Sequence, residues 1–297
     1  MKKCISFLLL LLFLLSLLMG QQTFQYTKDA LILWFEKLVP SLFISMVLVR
    51  LLFEQQIFTY ILKPFAPLLT KIFHTDHNGL SIIVSSILLG YPTSSTFIDQ
   101  QAKQGLLTHA SAKRLLYTCS FATPGFMIMS CGAVLFQSSI IGWKLFAIQL
   151  ICGFILLFLT RSTPIVSKTA SQKTPSFMQS LSKAIFESGK TLYLIGGYLM
   201  FVMTLTSLLF SFFPEFFTLL FRACIEFSSG IVAVATTSLS PLIKLLFTSA
   251  LLGFGGFCVH MQVMSMLESV SISYFSYLAY RLFQAFLAII FAYMFFH

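Results

Sequence analysis

Leu88-Leu89-Gly90-Tyr91-Pro92-Thr93-Ser94-Ser95-Thr96 interrupts an apolar run, residues 79–99, that would otherwise read as one helix. Glycine permits a tight turn there, and proline brings no N–H to continue a helical ladder. Four hydroxyl side chains then follow in succession, Thr93 to Thr96. A second apolar run, 242–264, is broken by Gly253-Phe254-Gly255-Gly256. Three glycines in four residues argue against an uninterrupted helix. Aligned on these breaks, Leu88–Pro92 matches Leu251–Gly255, and the helix beginning near Leu115 matches the one through Leu278.

Outward from these breaks, the 297-residue chain is 58% hydrophobic and 9% charged, with a mean hydropathy of +0.91. Soluble domains carry about 25% charged residues. A chain this poor in charge reads as an all-α polytopic membrane protein, built from apolar runs near the length that spans a bilayer. The net charge of +10 comes from basic residues placed singly between apolar runs. That pattern follows the positive-inside rule and offers no nucleic-acid surface. Cys4, Cys119, Cys131, Cys152, Cys224 and Cys258 form no C-x-x-C and read as small buried hydrophobes.

Lys2 and Lys3 ahead of Ile5–Met19 look like a secretory signal. A cut after Gly20 would put Leu18 at the −3 position, so the reading is an uncleaved transmembrane helix within 1–25. The first repeat then covers 26–160. It holds an amphipathic interfacial stretch Tyr26–Leu38, a helix at 39–54 entered through Pro40, and an interfacial stretch 57–73 with Pro64 and Pro67. The broken run 79–99, a polar segment Asp99–Arg114, a helix at 115–136 interrupted by Thr123-Pro124-Gly125, and a helix at 140–160 complete it. Residues 161–190 carry Arg161, Lys168, Lys173, Lys183 and Lys190 against Glu187 and read as a soluble cytoplasmic linker. The second repeat, 191–297, has a helix at 191–213, a short segment at 215–229, the broken run 242–264 and a last helix at 272–296.

If 79–99 crossed the membrane fully, the basic linker would fall outside, against the charge rule. If 79–99 and 242–264 are both re-entrant hairpins, the linker and both termini are cytoplasmic and the two repeats are inverted. This second topology is the expectation. Non-helical backbone at membrane depth persists where protein or a water-filled cavity satisfies it. Paired broken segments in inverted halves point to a solute site between them.

The candidate solute-contacting residues follow from the breaks. Gly90, Tyr91, Pro92, Thr93, Ser94 and Ser95 offer hydroxyls and freed amides to a small anion or polar solute, or else form a kinked helix packed through its hydroxyls. Gly255 and Gly256 lead to His260 and Gln262, polar groups in an apolar run that are either functional or packing residues. Glu226, with Ser229 and Gly230, either binds a coupling cation or caps a helix. Ser120, Thr123 and Pro124 break another helix and face the same cavity. His74-Thr75-Asp76-His77 lacks a third partner, so no metal and no cofactor is expected. No H-E-x-x-H, G-x-S-x-G or phosphate-binding loop occurs, and an enzyme is the weaker class.

Gly90-Tyr91-Pro92, Gln104–Leu107, Ala112–Leu116, Ala122–Phe126, Glu226–Gly230 and Phe254–Gln262, in that order, resemble the YlbJ-type sporulation integral membrane proteins. These are a branch of the nucleoside-recognition Gate domain group, distantly similar to concentrative nucleoside transporters. The resemblance covers nearly the whole chain after the first helix. The family usually has Gly-Ala-Lys after its G-Y-P-x and paired asparagines before its T/S-P break; here stand Ser94-Ser95-Thr96 and Ser120-Phe121. The resemblance implies a permease for a dipicolinate-type or nucleoside-like solute, tied in spore formers to moving dipicolinate across the membrane around the forespore. The expected function is therefore a transporter for a small polar or anionic solute in a bacterial-type plasma membrane. A coupling cation and a homo-oligomer are partners the sequence leaves open. The alternative is a non-transporting receptor or assembly factor on a transporter-like fold.

Overall fold

The computed structural model describes residues 2–167, 176–213 and 221–297. Lys168, Lys173 and residues 215–220, all part of the expectations above, lie outside these. The described residues form helices α1 Lys2–Leu18, α2 Gly20–Ile32, α3 Val39–Glu54, α4 Ile57–Leu62, α5 Ala66–Phe73, α6 His77–Leu89 and α7 Thr93–Lys103. There follow α8 His109–Thr118, α9 Ser139–Leu159, α10 Phe177–Phe210, α11 Phe227–Ala235, α12 Pro241–Phe254, α13 Gly256–Met266 and α14 Tyr274–Phe296. Ser139–Leu159, Phe177–Phe210, Pro241–Met266 and Tyr274–Phe296 are each long and apolar enough to cross a membrane; the bent pair of α1 and α2 adds a fifth if it counts as one span. The chain is an all-α polytopic membrane protein.

Residues 20–54 form one continuous helix, so Tyr26–Leu38 is not a separate interfacial stretch. Pro40 removes a ladder N–H and crowds the carbonyl four residues earlier. The wide π-type turns at Leu33–Leu38 absorb that defect without ending the helix. This long helix runs antiparallel to α10. The Thr27 and Thr204 hydroxyls meet at 3.0 Å, Trp34 Nε1 donates to Leu192 O at 3.0 Å, and Gln55 Nε2 donates to Ser180 Oγ at 2.9 Å. Gly196 makes the close approach possible, because a Cβ there would stand 2.5 Å from the Trp34 indole.

α10 begins at Phe177, inside the stretch read as linker. Its 34 residues would span about 50 Å, well beyond the hydrocarbon core. The excess is the charged first turns carrying Lys183, Glu187 and Lys190, ahead of the apolar residues from 191 onward. The start of the linker is docked as well. Ile165 N–H donates to His74 O at 2.9 Å, and Asp76 accepts from Ser167 N–H at 2.6 Å. Arg114 donates to Leu157 O at 2.6 Å and Thr163 O at 2.8 Å. The polar segment Asp99–Arg114 is thus partly buried, with Asp99 and Arg114 both inside.

These contacts gather at the C-terminal end of α9, the linker end of the molecule. At the other end of α9, Lys144 Nζ donates to Phe295 O at 2.8 Å and lies over the Phe296 ring. The C-terminus therefore stands at the opposite end from the linker, not beside it as expected. The reason is one extra crossing. Pro241–Phe254 and Gly256–Met266 continue as a single 26-residue span through the glycine break, where a hairpin was expected. Gly255, φ +84°, and Gly256, φ +76°, supply the interruption, and no proline prevents the helix restarting at once. The doubled-back element of the second half is centred instead on Glu226. Residues 221–225 and α11 fold together there so tightly that a Cβ on Gly230 would stand 2.4 Å from Ala223 Cα. In the first half, α6 and α7 have their outer ends, His77 and Lys103, at the linker end, with Gly90–Pro92 deep between them. The first helix is bent away from the rest of the chain. It leaves α2 at 98°, so it does not share the direction of the long helix that follows.

Candidate functional site

The backbone breaks of both halves meet. In the first half, Tyr91 N–H donates to Phe121 O at 2.7 Å, and Gly90, φ +64°, is so close to the 119–125 break that a Cβ would be 2.6 Å from Thr123 N. In the second, a Cβ on Gly256 would be 2.9 Å from Ile225 O. Tyr91 joins the halves: its hydroxyl donates to Leu252 O at 3.2 Å and its ring packs edge-on against Phe227, centroids 5.3 Å apart. Tyr91 N–H thus finds its acceptor on a neighbouring irregular segment, as an apolar surrounding demands.

Between the breaks lies a cavity of about 40 Å³. Tyr91, Pro92, Thr123, Glu226 and Gln262, five predicted site residues from both halves, line it with apolar neighbours that include Ile195, Leu199 and Phe227. Thr123 Oγ1 accepts from Phe126 N–H at 3.1 Å and starts the helical turns beyond the break. Glu226 is 4% exposed and caps α11, accepting from Ser228 N–H at 3.1 Å, Ser229 N–H at 2.6 Å and the Ser228 hydroxyl. Its capping role is visible in these bonds. No residue group among the described residues has the composition of a metal site.

The remaining predicted residues do not line this cavity. Thr93 Oγ1 points at Met46 Sδ, 3.8 Å away. Ser94 and Ser95 are fully buried with hydroxyls that lack partners. His260 Nε2 sits 2.9 Å from Phe254 O inside a ring of aromatic side chains, Phe254, Phe257, Tyr274 and Tyr277. Pro124 and Ser120 belong to the break itself; Ser120 Oγ donates to Leu116 O at 2.9 Å. Ser229 and Gly230 serve the Glu226 turn, and Gly255 faces the Tyr91 ring, with a built Cβ 3.5 Å away. His74 to His77 belongs to the docking of the linker, with Asp76 capping α6 through Gly79 N–H at 2.6 Å.

Two features escape the sequence reading. Arg281 of α14 is completely buried and donates to the Tyr117 and Ser120 carbonyls. It places a cation against the C-terminal carbonyls of α8 where that helix stops. A lone arginine in an apolar 23-residue helix was the signal. The second is an open polar vestibule of about 310 Å³ between α7, α10 and α13. Asp99, Gln100, Lys103, Lys183, Glu187, Lys190 and Glu268 are among its walls. Asp99 accepts from Glu268, Ser269 and Val270 N–H at 3.1, 3.0 and 2.8 Å, tying α7 to the end of α13. Lys103 and Glu268 pair at 2.6 Å on the surface above it.

The two cavities lie in line. Both are walled by α10, first Lys183–Leu194 and then Ile195 and Leu199; by α13, Ser265 and Met266 and then Gln262 and Val259; and by Thr96 to Lys103 of α7, with Pro92 just before that helix. The two sets adjoin on α10, at Leu194 and Ile195, and lie about one helical turn apart on α13 and at the start of α7.

The chain is 24% identical over 315 residues to the sporulation integral membrane protein YlbJ of Bacillus subtilis (strain 168), an alignment covering 91% of this chain and 77% of the relative. The chain is thus similar to YlbJ along nearly its whole length. The expected resemblance, drawn from short ordered motifs, thus extends along the chain and includes the breaks that meet at Tyr91. No family model matches the chain, and no solved structure matches it.

Proposed function

We propose that this YlbJ-like chain is a permease for a small polar or anionic solute, with its path running from the vestibule through the Tyr91–Gln262 cavity. The observation that carries this reading is the alignment of the two cavities along α7, α10 and α13, with broken backbone from both halves at the inner one. At 40 Å³ the inner cavity has room for little more than water, which fits an occluded resting state closed by Leu194, Met266 and Gln262. The halves are taken as inverted repeats in a register that differs from the glycine alignment. Gly90–Pro92 corresponds to Glu226, the 119–125 break to Gly255–Gly256, and α9 to α14. Opening is then a rocking of one half against the other around the breaks.

By the charge rule the basic linker end, with the vestibule, faces the cytoplasm of a bacterial-type plasma membrane. A coupling cation would have Glu226 as its carboxylate, provided the capping bonds loosen. By resemblance the solute is dipicolinate-type or nucleoside-like and the setting is sporulation. The small inner cavity also supports the second reading, a receptor or assembly factor that binds without transporting. Flux separates them: purified protein in vesicles passes labelled dipicolinate or uridine above empty vesicles if it is a permease, and neither if it is not.

A further inference from the structure

Behind the vestibule wall, in contact with its residue Gln100, stands Arg50 of α3, 5% exposed. Its Nη1 donates to Gln100 Oε1 at 3.0 Å, while Nε and Nη2 have no acceptor. Its acidic neighbours are Glu187 and Glu54, and both are engaged elsewhere. Glu187 Oε2 accepts from Gln100 Nε2 at 2.6 Å, and Glu54 pairs with Lys183 at 2.7 Å. Gln100 therefore stands between the guanidinium and the nearest carboxylate it would otherwise pair with. Unpaired buried donors are costly, and Arg50 leaves two open where the buried Arg281 leaves one, Nε. Here the open pair is Nε and Nη2, one edge of the guanidinium, with the geometry that takes both oxygens of a carboxylate.

The surroundings fit an anion arriving from the vestibule. Gln100, the residue that Arg50 touches, is part of the vestibule wall. Lys190, also in that wall, makes no ion pair or hydrogen bond among the described residues, whereas Lys103 and Lys183 are paired. The cavity, at about 310 Å³, is at the lower end of the range for small-molecule sites. We propose that Arg50 is a solute receptor behind Gln100 of the vestibule wall, taking a carboxylate on its Nε–Nη2 edge, with Lys190 as the attracting cation at the mouth. This rests on the permease reading and adds a first binding station for the solute's carboxylate, separate from the Tyr91–Gln262 cavity.

The test is equilibrium binding of benzoate to the purified full chain in detergent, with uridine as the neutral comparison. Wild type is expected to bind benzoate saturably, and R50Q to bind it about tenfold more weakly or worse. R50K, which keeps the charge but loses the fork, falls between. Q100L, which removes the competing acceptor, retains benzoate binding at wild-type strength or better. K190Q weakens benzoate binding less than R50Q, and none of these changes alters uridine binding. If R50Q fails to fold, as melting and gel filtration would show, R50K carries the test. No benzoate binding by wild type, wild-type binding by R50Q or R50K, or a loss in Q100L equal to that in R50Q overturns the proposal. Benzoate binding without solute flux overturns the permease reading and leaves this site standing; flux with unchanged binding in R50Q and R50K does the reverse.

Discussion

Gln284 of α14 donates to Gln149 of α9 at 2.9 Å, two buried amides 135 residues apart. They join the last helix of each half, and Gln149 passes the chain on by donating to Ser249 O at 3.0 Å. Polar bonds between membrane helices couple by about 0.6 kcal/mol on average and up to about 1.7. Q149L and Q284L are each expected to destabilise the protein in detergent, with the double variant less destabilised than the sum of the two. Additive losses in unfolding experiments would show that the pair does not act as a unit.

Glycine substitutions separate backbone need from close packing. G90A and G256A force a Cβ into Thr123 N and Ile225 O at positive φ, so each is expected to cost well over 1 kcal/mol and to disturb the breaks. Gly105 also has a positive φ, +72°, but a Cβ there meets nothing within 4 Å. G105A should cost only about 1 kcal/mol and leave solute flux intact. Thermal unfolding and flux on the three variants check this ordering.

Arg281 should be among the most sensitive single residues. R281M leaves the Tyr117 and Ser120 carbonyls without their donor and is expected to lose about 3 kcal/mol. R281K keeps the charge but not the two-carbonyl reach and should be intermediate. Detergent unfolding of the two variants measures the difference; equal stability of R281M and wild type would refute the role.

At the vestibule rim, a buried and an exposed acid should behave differently. D99N weakens the carboxylate that accepts three backbone N–H groups and is expected to cost about 2 kcal/mol. Glu268 is surface-exposed and paired with Lys103. Hydrogen bonding to Lys103, then its charge, holds the Glu268 carboxyl below the usual range. The same partner holds the Lys103 ammonium above its ordinary value. The Glu268 share of the pair's contribution is thus present above the ordinary carboxylate range and fades as pH falls through the lowered value. The Lys103 share fades as pH rises through the raised one. Being exposed, the pair is screened by salt. Melting temperature should fall in D99N and stay near wild type in E268Q, with any E268Q effect vanishing at high salt.

The helix content, the break at Gly90–Pro92 and the convergence of Tyr91, Pro92, Thr123, Glu226 and Gln262 were legible because glycine, proline and isolated polar residues act locally. Whether a glycine break turns the chain back or lets it run on was not. Gly253–Gly256 and Gly90–Pro92 look alike in sequence, but only the latter contains a proline, and only there do both outer ends return to one side. The reversal at Glu226 was hidden because it rests on Gly230 meeting Ala223 across a turn. The vestibule was hidden for another reason. Lys183, Glu187 and Lys190 read as solvated linker until α10 carries them to α7 and α13, a long-range placement that charge pattern alone does not specify.

The central claim is a solute path through the Tyr91–Gln262 cavity, and blocking that cavity tests it most directly. Vesicles containing wild type are compared with vesicles containing Q262W, confirmed to melt near the wild-type temperature, for uptake of labelled dipicolinate. The account predicts saturable uptake by wild type and uptake reduced to that of empty vesicles in Q262W. Uptake by Q262W equal to wild type, or no uptake by wild type above empty vesicles, would contradict it.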